Sequence, residues 1–506
     1  MATEHGGLSV WHLTMLALGT VVGGSFFLGS AIAIRTAGPG ILISYTLGGI
    51  LVYIILTALS EMTVANQAPG SFQAFAEQMY GPAVGFVVGW VYWTGLTLAM
   101  SSEAVAASLF IRAWIPGVPL PAMAVIIIIG VTLLNLVGAK TLTNLESGLA
   151  LIKLTAIMAF IVIAVTLIAG LVPGKPVIGL GALPREPFLP AGIYGIAGSM
   201  LIVMFAYAGF EVIGLAASEA KNPHYTVPRA IVFTILGLVG LYSVATLVLL
   251  PLIPTLKLTP SVSPLVAGLS AVGLGWAATT VNAVLVTAIL STMLAAMFGM
   301  GRMVRSLADK GYAPPWLREE REVPKRGILF SGAGMLAGVA LAYLLPSQVY
   351  IFLVASGGFS LLFTYAVIMA THYRFRRIYG CPPEDRCQLI GFPYTSILGL
   401  LALIVIIISM PLVPSQGAGL LAGLLLVLFY TLTYIAYRAY LLARSRQRIT
   451  AKNLLGLAEG EAYHVESRLA PVNLAGIINP VINMEAGEQL VPEKTCNQDT
   501  SENRDL

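Results

Sequence analysis

The chain has 506 residues, of which 57% are hydrophobic and only 10% charged, against roughly 25% charged in an ordinary soluble domain. That balance excludes a soluble enzyme. It also excludes a nucleic-acid-binding domain, because the net charge of +5 comes from basic residues spread between apolar runs and gathered on no face. The three cysteines, Cys381, Cys387 and Cys496, are too few for a disulfide framework. Cys381 and Cys387, near His372, do not follow a zinc spacing, so neither a metal nor another cofactor is expected.

With about 20 apolar residues needed to cross a bilayer, the sequence contains about twelve spans. They lie near residues 11–36, 39–60, 83–112, 121–138, 147–171, 192–215, 229–252, 274–300, 327–346, 349–372, 394–413 and 416–440. The stretch before the first span has no basic region and no cleavage site, so that span is expected to be retained. With this terminus in the cytoplasm, the Arg302 to Arg326 cluster, Arg374, Arg376, Arg377 and Arg386 share its side. Only Arg35, Arg112, Lys175, Arg185 and Lys257 face the other. The positive-inside rule then places both termini in the cytoplasm of a multi-pass cell-membrane protein. The expected organisation is a cytoplasmic N-terminus over 1–10, a transmembrane domain over 11–442, and a polar tail over 443–506 with too little apolar content for a core.

The first span is built unlike an ordinary helix: Leu18 to Ser30 holds four glycines inside an apolar run. Each interior glycine costs roughly 1 kcal/mol relative to alanine. Lipid tolerates a loosened backbone only where it is buried in protein or lines a cavity. Span six carries a similar interruption, Phe205-Ala-Tyr-Ala-Gly-Phe-Glu211, five spans later. Two broken helices in corresponding positions point to an inverted repeat with a binding site between its halves; the alternative is a pair of packing glycines. The N-terminal end of a half-helix suits a carboxylate, and carbonyls at the end of the preceding half suit an ammonium. A site with both selects a zwitterion, of which an α-amino acid is the simplest.

The ordered motifs are Val22-Gly-Gly-Ser-Phe-Phe-Leu-Gly-Ser30 with Ala-Gly-Pro39, Ser60-Glu-Met62, Pro69-Gly-Ser-Phe72, Tyr80-Gly-Pro82 and Gly89-Trp-Val-Tyr-Trp93. They continue with Phe205 to Glu211, Ser218-Glu-Ala-Lys-Asn-Pro223, Val-Pro-Arg-Ala230, Gly301-Arg-Met and Leu307-Ala-Asp-Lys-Gly-Tyr-Ala-Pro314. In these the chain resembles the amino acid-polyamine-organocation superfamily, and within it the bacterial amino-acid permeases, over about residues 10–440. The resemblance implies an all-α polytopic membrane protein with twelve transmembrane helices. The first ten form a five-plus-five inverted repeat, helices 1 and 6 are broken, two further helices follow, and solute moves by alternating access. The family's first-helix pattern is Gly-Ser/Thr/Ala-Gly, then an apolar residue and Phe. Here Gly23, Gly24 and Ser25 precede Phe26 and Phe27, so Ser25 stands in place of the second glycine.

By the same resemblance, Val21, Val22, Gly23, Gly24 and Ser25 in the first break contact the substrate, with Phe205, Ala206, Tyr207, Ala208, Gly209 and Phe210 in the second. The carbonyls of Val21, Val22, Phe205, Ala206 and Ala208 are expected to hold the ammonium, Gly24 and Ser25 the carboxylate, and Tyr207 and Phe210 to close over the solute. Ser101 and Ser291 are further candidates for lining the site, with Thr97, Met100, Ser102, Thr292 and Met293 beside them.

An ionisable group at bilayer depth costs at least about 2.5 kcal/mol and is by default functional. Glu103, Glu211 and Lys153 qualify, and are expected to serve proton coupling. In sodium-independent members of the superfamily a fifth-helix lysine stands where sodium-coupled relatives bind a cation. Lys153 therefore implies proton-driven uptake without sodium. The alternatives are that Lys153 snorkels to the interface and that the two glutamates are structural partners of each other, of Lys153 or of backbone amides. Glu61 and Glu219 are expected to pair with Arg302 or Arg229 as an inner gate.

The spans contain no paired-carboxylate, nucleophile-elbow or phosphate-loop pattern that would serve an enzyme. The expected function is thus secondary active transport of an amino acid. An obligate exchanger and an amine or polyamine transporter of the same fold are the rivals. The oligomeric state is left open.

Overall fold

The computed structural model describes residues 8–65, 71–137, 139–211, 213, 220–320, 323–344, 349–380, 389–413 and 416–455. Glu219, the three cysteines and the tail beyond 455 lie outside the described residues, and the expectations placed on them go with them. Among the described residues the architecture is helical, with a single isolated bridge between Leu8 and Ala220.

Helix α1, Val10–Val21, starts at Ser9, whose Oγ accepts the N–H of His12 at 3.3 Å and so satisfies one of the unpaired first-turn donors. It stops where Val22 and Gly23 turn extended. The chain resumes as α2, Gly24–Phe27, and α3, Gly29–Ala37. Gly38, at φ 62° in the left-handed region, and Pro39 then turn it back into α4, Ile41–Ala65. The remaining helices are α5, Ser71–Tyr80; α6, Pro82–Ile111; α7, Leu120–Asn135; α8, Ala139–Ile168; α9, Gly192–Tyr207; α10, Pro223–Leu249; α11, Pro264–Ala271; α12, Gly275–Asp309; α13, Lys325–Leu344; α14, Val349–Tyr379; α15, Tyr394–Ser409; and α16, Gln416–Leu455.

Among the described residues, eight helical stretches are long and apolar enough to cross a membrane, and Val10–Val21, Leu120–Asn135 and Gly192–Tyr207 are shorter apolar helices. Hydropathy did not anticipate α5 or α11, which are too short to span. The chain divides into two compact units, residues 1–435 and 436–506. The described part of the second is the continuation of α16 to Leu455.

In the first unit α6 is central, packed against α5, α7, α12, α13 and α14. The most apolar window of α6 is 72% buried, whereas that of Gly148–Ile168 is 28% buried, which leaves most of the latter's surface for lipid. Lipid tails give two apolar helices no hydrophobic reason to associate, so close packing must do it. Where α6 crosses α14, Gly95 faces Gly357 and Ser360. A Cβ on Gly357 would stand 3.0 Å from the Gly95 carbonyl oxygen and 3.1 Å from the Ala99 nitrogen. Trp93 Nε1 donates to Ser331 Oγ of α13 at 3.0 Å alongside.

Because both neighbours of Gly357 are backbone, they cannot yield. Gly357→Val is expected to destabilise the protein by about 1–3 kcal/mol through overpacking, seen as a lower melting temperature in detergent. Gly130→Ala in α7, where no atom lies within 4 Å of the added carbon, is expected to leave it unchanged or raised by up to about 1 kcal/mol.

Candidate functional site: two helix breaks and the charges that hold them

Ending α1 at Val21 and restarting at Gly24 exposes carbonyls on one side of the break and N–H groups on the other. Lipid satisfies neither. On the N–H side, the Glu103 carboxylate reaches across from α6. Its Oε2 accepts from Gly24 N at 2.8 Å and its Oε1 from Ser25 N at 2.9 Å. The glycines are needed for approach more than for backbone freedom. A Cβ on Gly24 would stand 2.5 Å from Glu103 Oε2 and 3.0 Å from Ile289, and one on Gly23 would stand 2.9 Å from Thr292 Oγ1.

On the carbonyl side, Lys153 of α8 is fully buried. It does not snorkel: its Nζ donates to the Gly19 carbonyl in the last turn of α1. Thr292 of α12 lies 3.5 Å from the same Nζ, and its Oγ1 donates to the Val22 carbonyl at 3.2 Å. A cation at the C-terminal end of one half-helix and an anion at the N-terminal end of the next both match the helix dipoles. Lys153 and Glu103 also act electrostatically on each other across the break.

The second break is held differently. α9 stops at Tyr207, and Gly209, at φ 104°, takes a left-handed turn that a side chain would strain. Glu211 then folds back to accept from Gly209 N at 3.0 Å. Tyr92 of α6 donates to Glu211 Oε1 at 2.9 Å, and Tyr365 of α14 to Oε2 at 3.2 Å. Thr20 of α1 has one hydroxyl proton and three carbonyls in range, those of Ala17 at 3.0 Å and Leu16 at 3.2 Å in its own helix and that of Gly209 at 3.4 Å in the second break. Glu211 therefore pairs with neither Lys153 nor Glu103. Tyr92 and Tyr365, which complete its cage, were not singled out from sequence. Their only advance signal is a phenol inside an apolar helix.

Several candidates fall elsewhere than expected. Ser101 Oγ donates to the Met335 carbonyl of α13 at 3.0 Å, facing a packing seam and not the breaks. Tyr207, expected to close over the solute, belongs to an aromatic cluster with Tyr45 and Tyr242. Its hydroxyl donates to the Tyr45 carbonyl at 3.0 Å, and its ring stacks on Tyr242. Tyr242 in turn stacks on Phe26 at 3.9 Å and donates to the Ala206 carbonyl at 3.2 Å. Phe210 lies against Tyr365 at 4.9 Å. Of the carbonyls expected to hold an ammonium, those of Val22, Phe205 and Ala206 each already accept a protein donor, although a carbonyl has a second lone pair. Ser25 Oγ has no hydrogen bond among the described residues, and Ser291 Oγ is buried without a partner. Val21, Val22, Ser25, Phe26, Phe205 and Phe210 are all buried, whereas Ala208 and Gly209 of the second break are half-buried.

Away from the breaks, Glu61 bonds to neither Arg302 nor Arg229, which lie over Phe298 and Tyr225. It sits instead against α14, with Oε1 3.2 Å from His372 Nε2 and 3.4 Å from Arg376 Nε, while Oε2 accepts from Leu389 N at 3.0 Å. On α5, Glu77 takes Lys310 Nζ and the Tyr312 hydroxyl, each at 2.6 Å.

A helical membrane protein with interrupted, charge-capped helices at its centre has the architecture of a secondary transporter. The comparisons agree. The family model for amino acid permeases matches residues 12–452. The uncharacterized amino acid permease YtnA of Bacillus subtilis is 32% identical over 439 residues, covering 84% of this chain and 94% of the relative. The γ-aminobutyric acid permease of Bacillus subtilis is 30% identical, covering 85% and 93%. The aromatic amino acid transport protein AroP of Salmonella typhimurium is 32% identical, covering 81% and 91%. A solved structure of the manganese transporter of Eremococcus coleocola superposes with a TM-score of 0.51 over 88% of this chain and 97% of that one. At 16% identity it bears on the fold alone.

The chain belongs to the amino acid permease family. Its members are transporters, not enzymes, and this chain is a multi-pass membrane protein that transports amino acids.

Gly24→Ala is expected to abolish transport while the protein still elutes as a single species, because its carbon displaces the Glu103 carboxylate. Gly240→Ala, with open space around it, is the matched control and should transport normally. Glu61→Ala leaves Arg376 and His372 buried beside a missing carboxylate. A loss of about 3–5 kcal/mol is expected, read as a fall in melting temperature.

Proposed function

We propose that the protein takes up an α-amino acid by proton-driven alternating access, with the solute held between the two helix breaks. The observation that carries this reading is the pair of short bonds from Gly24 and Ser25 N–H to the Glu103 carboxylate. Amides that hold one carboxylate are suited to hold another, and an arriving amino acid has one to offer. The solute carboxylate replaces Glu103 at the amides, and its ammonium turns to the carbonyls of Val21, Val22, Phe205, Ala206 and Ala208. Glu103 is then left beside the solute's negative charge. Two carboxylates cannot both stay ionised at close range in a dry site, so Glu103 takes a proton as it leaves. Lys153, bonded to the last turn of α1, senses the same exchange through the break and releases or regains its own proton. Proton coupling follows, with no need for sodium.

Other parts of the reading rest on placement. Breaks five spans apart support a five-plus-five inverted repeat within twelve spans, and the basic segments support cytoplasmic termini flanking a transmembrane domain over 11–442. The solute has a zwitterionic head. Relatives named for γ-aminobutyric acid and for aromatic amino acids give the first solutes to try: aromatic α-amino acids, and γ-aminobutyric acid, whose ammonium and carboxylate stand farther apart. An amine or polyamine carrier would have no use for the amide pair, whereas an obligate exchanger would use the same site.

Uptake of labelled amino acids into proteoliposomes, with an inward proton gradient and no sodium, tests this. Gradient-driven accumulation is expected, and Lys153→Ala should keep exchange while accumulation falls to the equilibrium level. Uptake only into vesicles preloaded with amino acid would replace symport with exchange. Accumulation by Lys153→Ala equal to the unmodified protein would remove Lys153 from coupling.

A further inference from the structure

The short helix α5 bears one side chain that its surroundings do not satisfy. Gln73 is fully buried, and neither its Nε2 nor its Oε1 has a hydrogen-bond partner among the described residues. A carboxamide brings two donors and an acceptor oxygen with two lone pairs. Burying them unpaired gives up their hydration for nothing in exchange. Methionine, unbranched and of similar length, would fill that space without the penalty.

Its place is a seam between three helices. A Cβ on Gly89 of α6 would stand 2.7 Å from Leu307 Cδ2 of α12 and 3.2 Å from Gln73 Cγ, so Gln73 enters where α5, α6 and α12 meet. Glu77, four residues on, shares its helix face. The Glu77 carboxylate makes the bonds to Lys310 and the Tyr312 hydroxyl that hold α5 to the end of α12. That ion pair is partly exposed and therefore weak. Phe72, beside Gln73, packs edge-on against Tyr92 with ring centroids 4.8 Å apart, and Tyr92 is one of the two phenols on Glu211. The seam thus runs from α5 to the second break.

We propose that α5 and the end of α12 form a gate balanced for opening, in which the Glu77 bonds hold the seam shut and the unpaired Gln73 carboxamide favours parting it. This rests on the alternating-access reading above. Separation of α5 from α12 gives the carboxamide water to bond, so the open arrangement recovers what the closed one withholds. Two opposed contributions on one helix face keep the closed state from being too stable to turn over. Parting the seam also withdraws Phe72 from Tyr92, which links opening to the cage around Glu211.

The test is Gln73→Met in the full-length chain, with Glu77→Gln as its opposite. The reporter is Val304→Cys, at a buried position of α12 one turn before Leu307 and on the same face, with Cys381, Cys387 and Cys496 replaced by serine. Alkylation by a polar maleimide is timed in detergent without solute. Gln73→Met is expected to slow alkylation about tenfold, the scale of relieving one buried unpaired group. It should also raise the melting temperature and lower the maximal rate of solute exchange. Glu77→Gln should speed alkylation and lower the melting temperature. Unchanged alkylation in Gln73→Met overturns the proposal. So does a lower melting temperature in that variant, the sign that the carboxamide is bonded where it lies. A Val304→Cys protein that transports yet resists alkylation in every variant has a seam that stays shut, which removes the gate and leaves the uptake reading standing. Slowed alkylation in Gln73→Met beside an unmodified protein without gradient-driven uptake keeps the gate and removes that reading.

Discussion

The structure turns on a problem of unpaired backbone polarity. A helix interrupted at bilayer depth exposes N–H groups and carbonyls that hydrocarbon leaves unsatisfied, at several kcal/mol each. Here two buried ions meet it, Glu103 on the amides of α2 and Lys153 on the last turn of α1. Neither ion is affordable alone at that depth, and the two half-helix ends are uncompensated without them. Each cost offsets another, so α1, α2, α6, α8 and α12 are committed to one arrangement. Gly23 and Gly24 follow from that commitment, since side chains there would push Thr292 and Glu103 out of reach.

The second break meets the same problem with no cation. Glu211 closes its own turn through Gly209 N and is held by phenols from α6 and α14. The difference has a functional sense. On the proposed reading, the carboxylate held by two backbone amides is the one an arriving solute replaces, whereas the one caged by two tyrosines and its own turn is a fixture. The first break is thus suited to exchanging ligands and the second to holding its shape. Farther off, the Glu61, His372 and Arg376 cluster binds α4 to α14, and Glu77 with Lys310 and Tyr312 binds α5 to the end of α12. Transport that parts these helices has to break those bonds.

Much of this was legible along the chain because membrane physics writes strongly into sequence. Apolar runs gave the helices, glycine clusters gave the breaks, and ionisable residues in the wrong solvent picked out Glu103, Glu211 and Lys153. Facing was less legible. Ser101 and Tyr207 sit on helices buried nearly all round, where periodicity carries no directional signal, and they turned toward α13 and Tyr45. Partners were least legible. Glu61 and His372 are 311 residues apart, and no local pattern ties them.

The sequence by itself determined which segments enter the membrane, where the helices cannot continue, and which charges need a reason to be there, because each of these is a property of a single segment against its solvent. Only the tertiary structure decided that Glu103 occupies the amides, that Lys153 caps the other side and that Glu211 is caged. Those are pairings between segments far apart in the chain, and close packing fixes them through contacts that no single stretch contains.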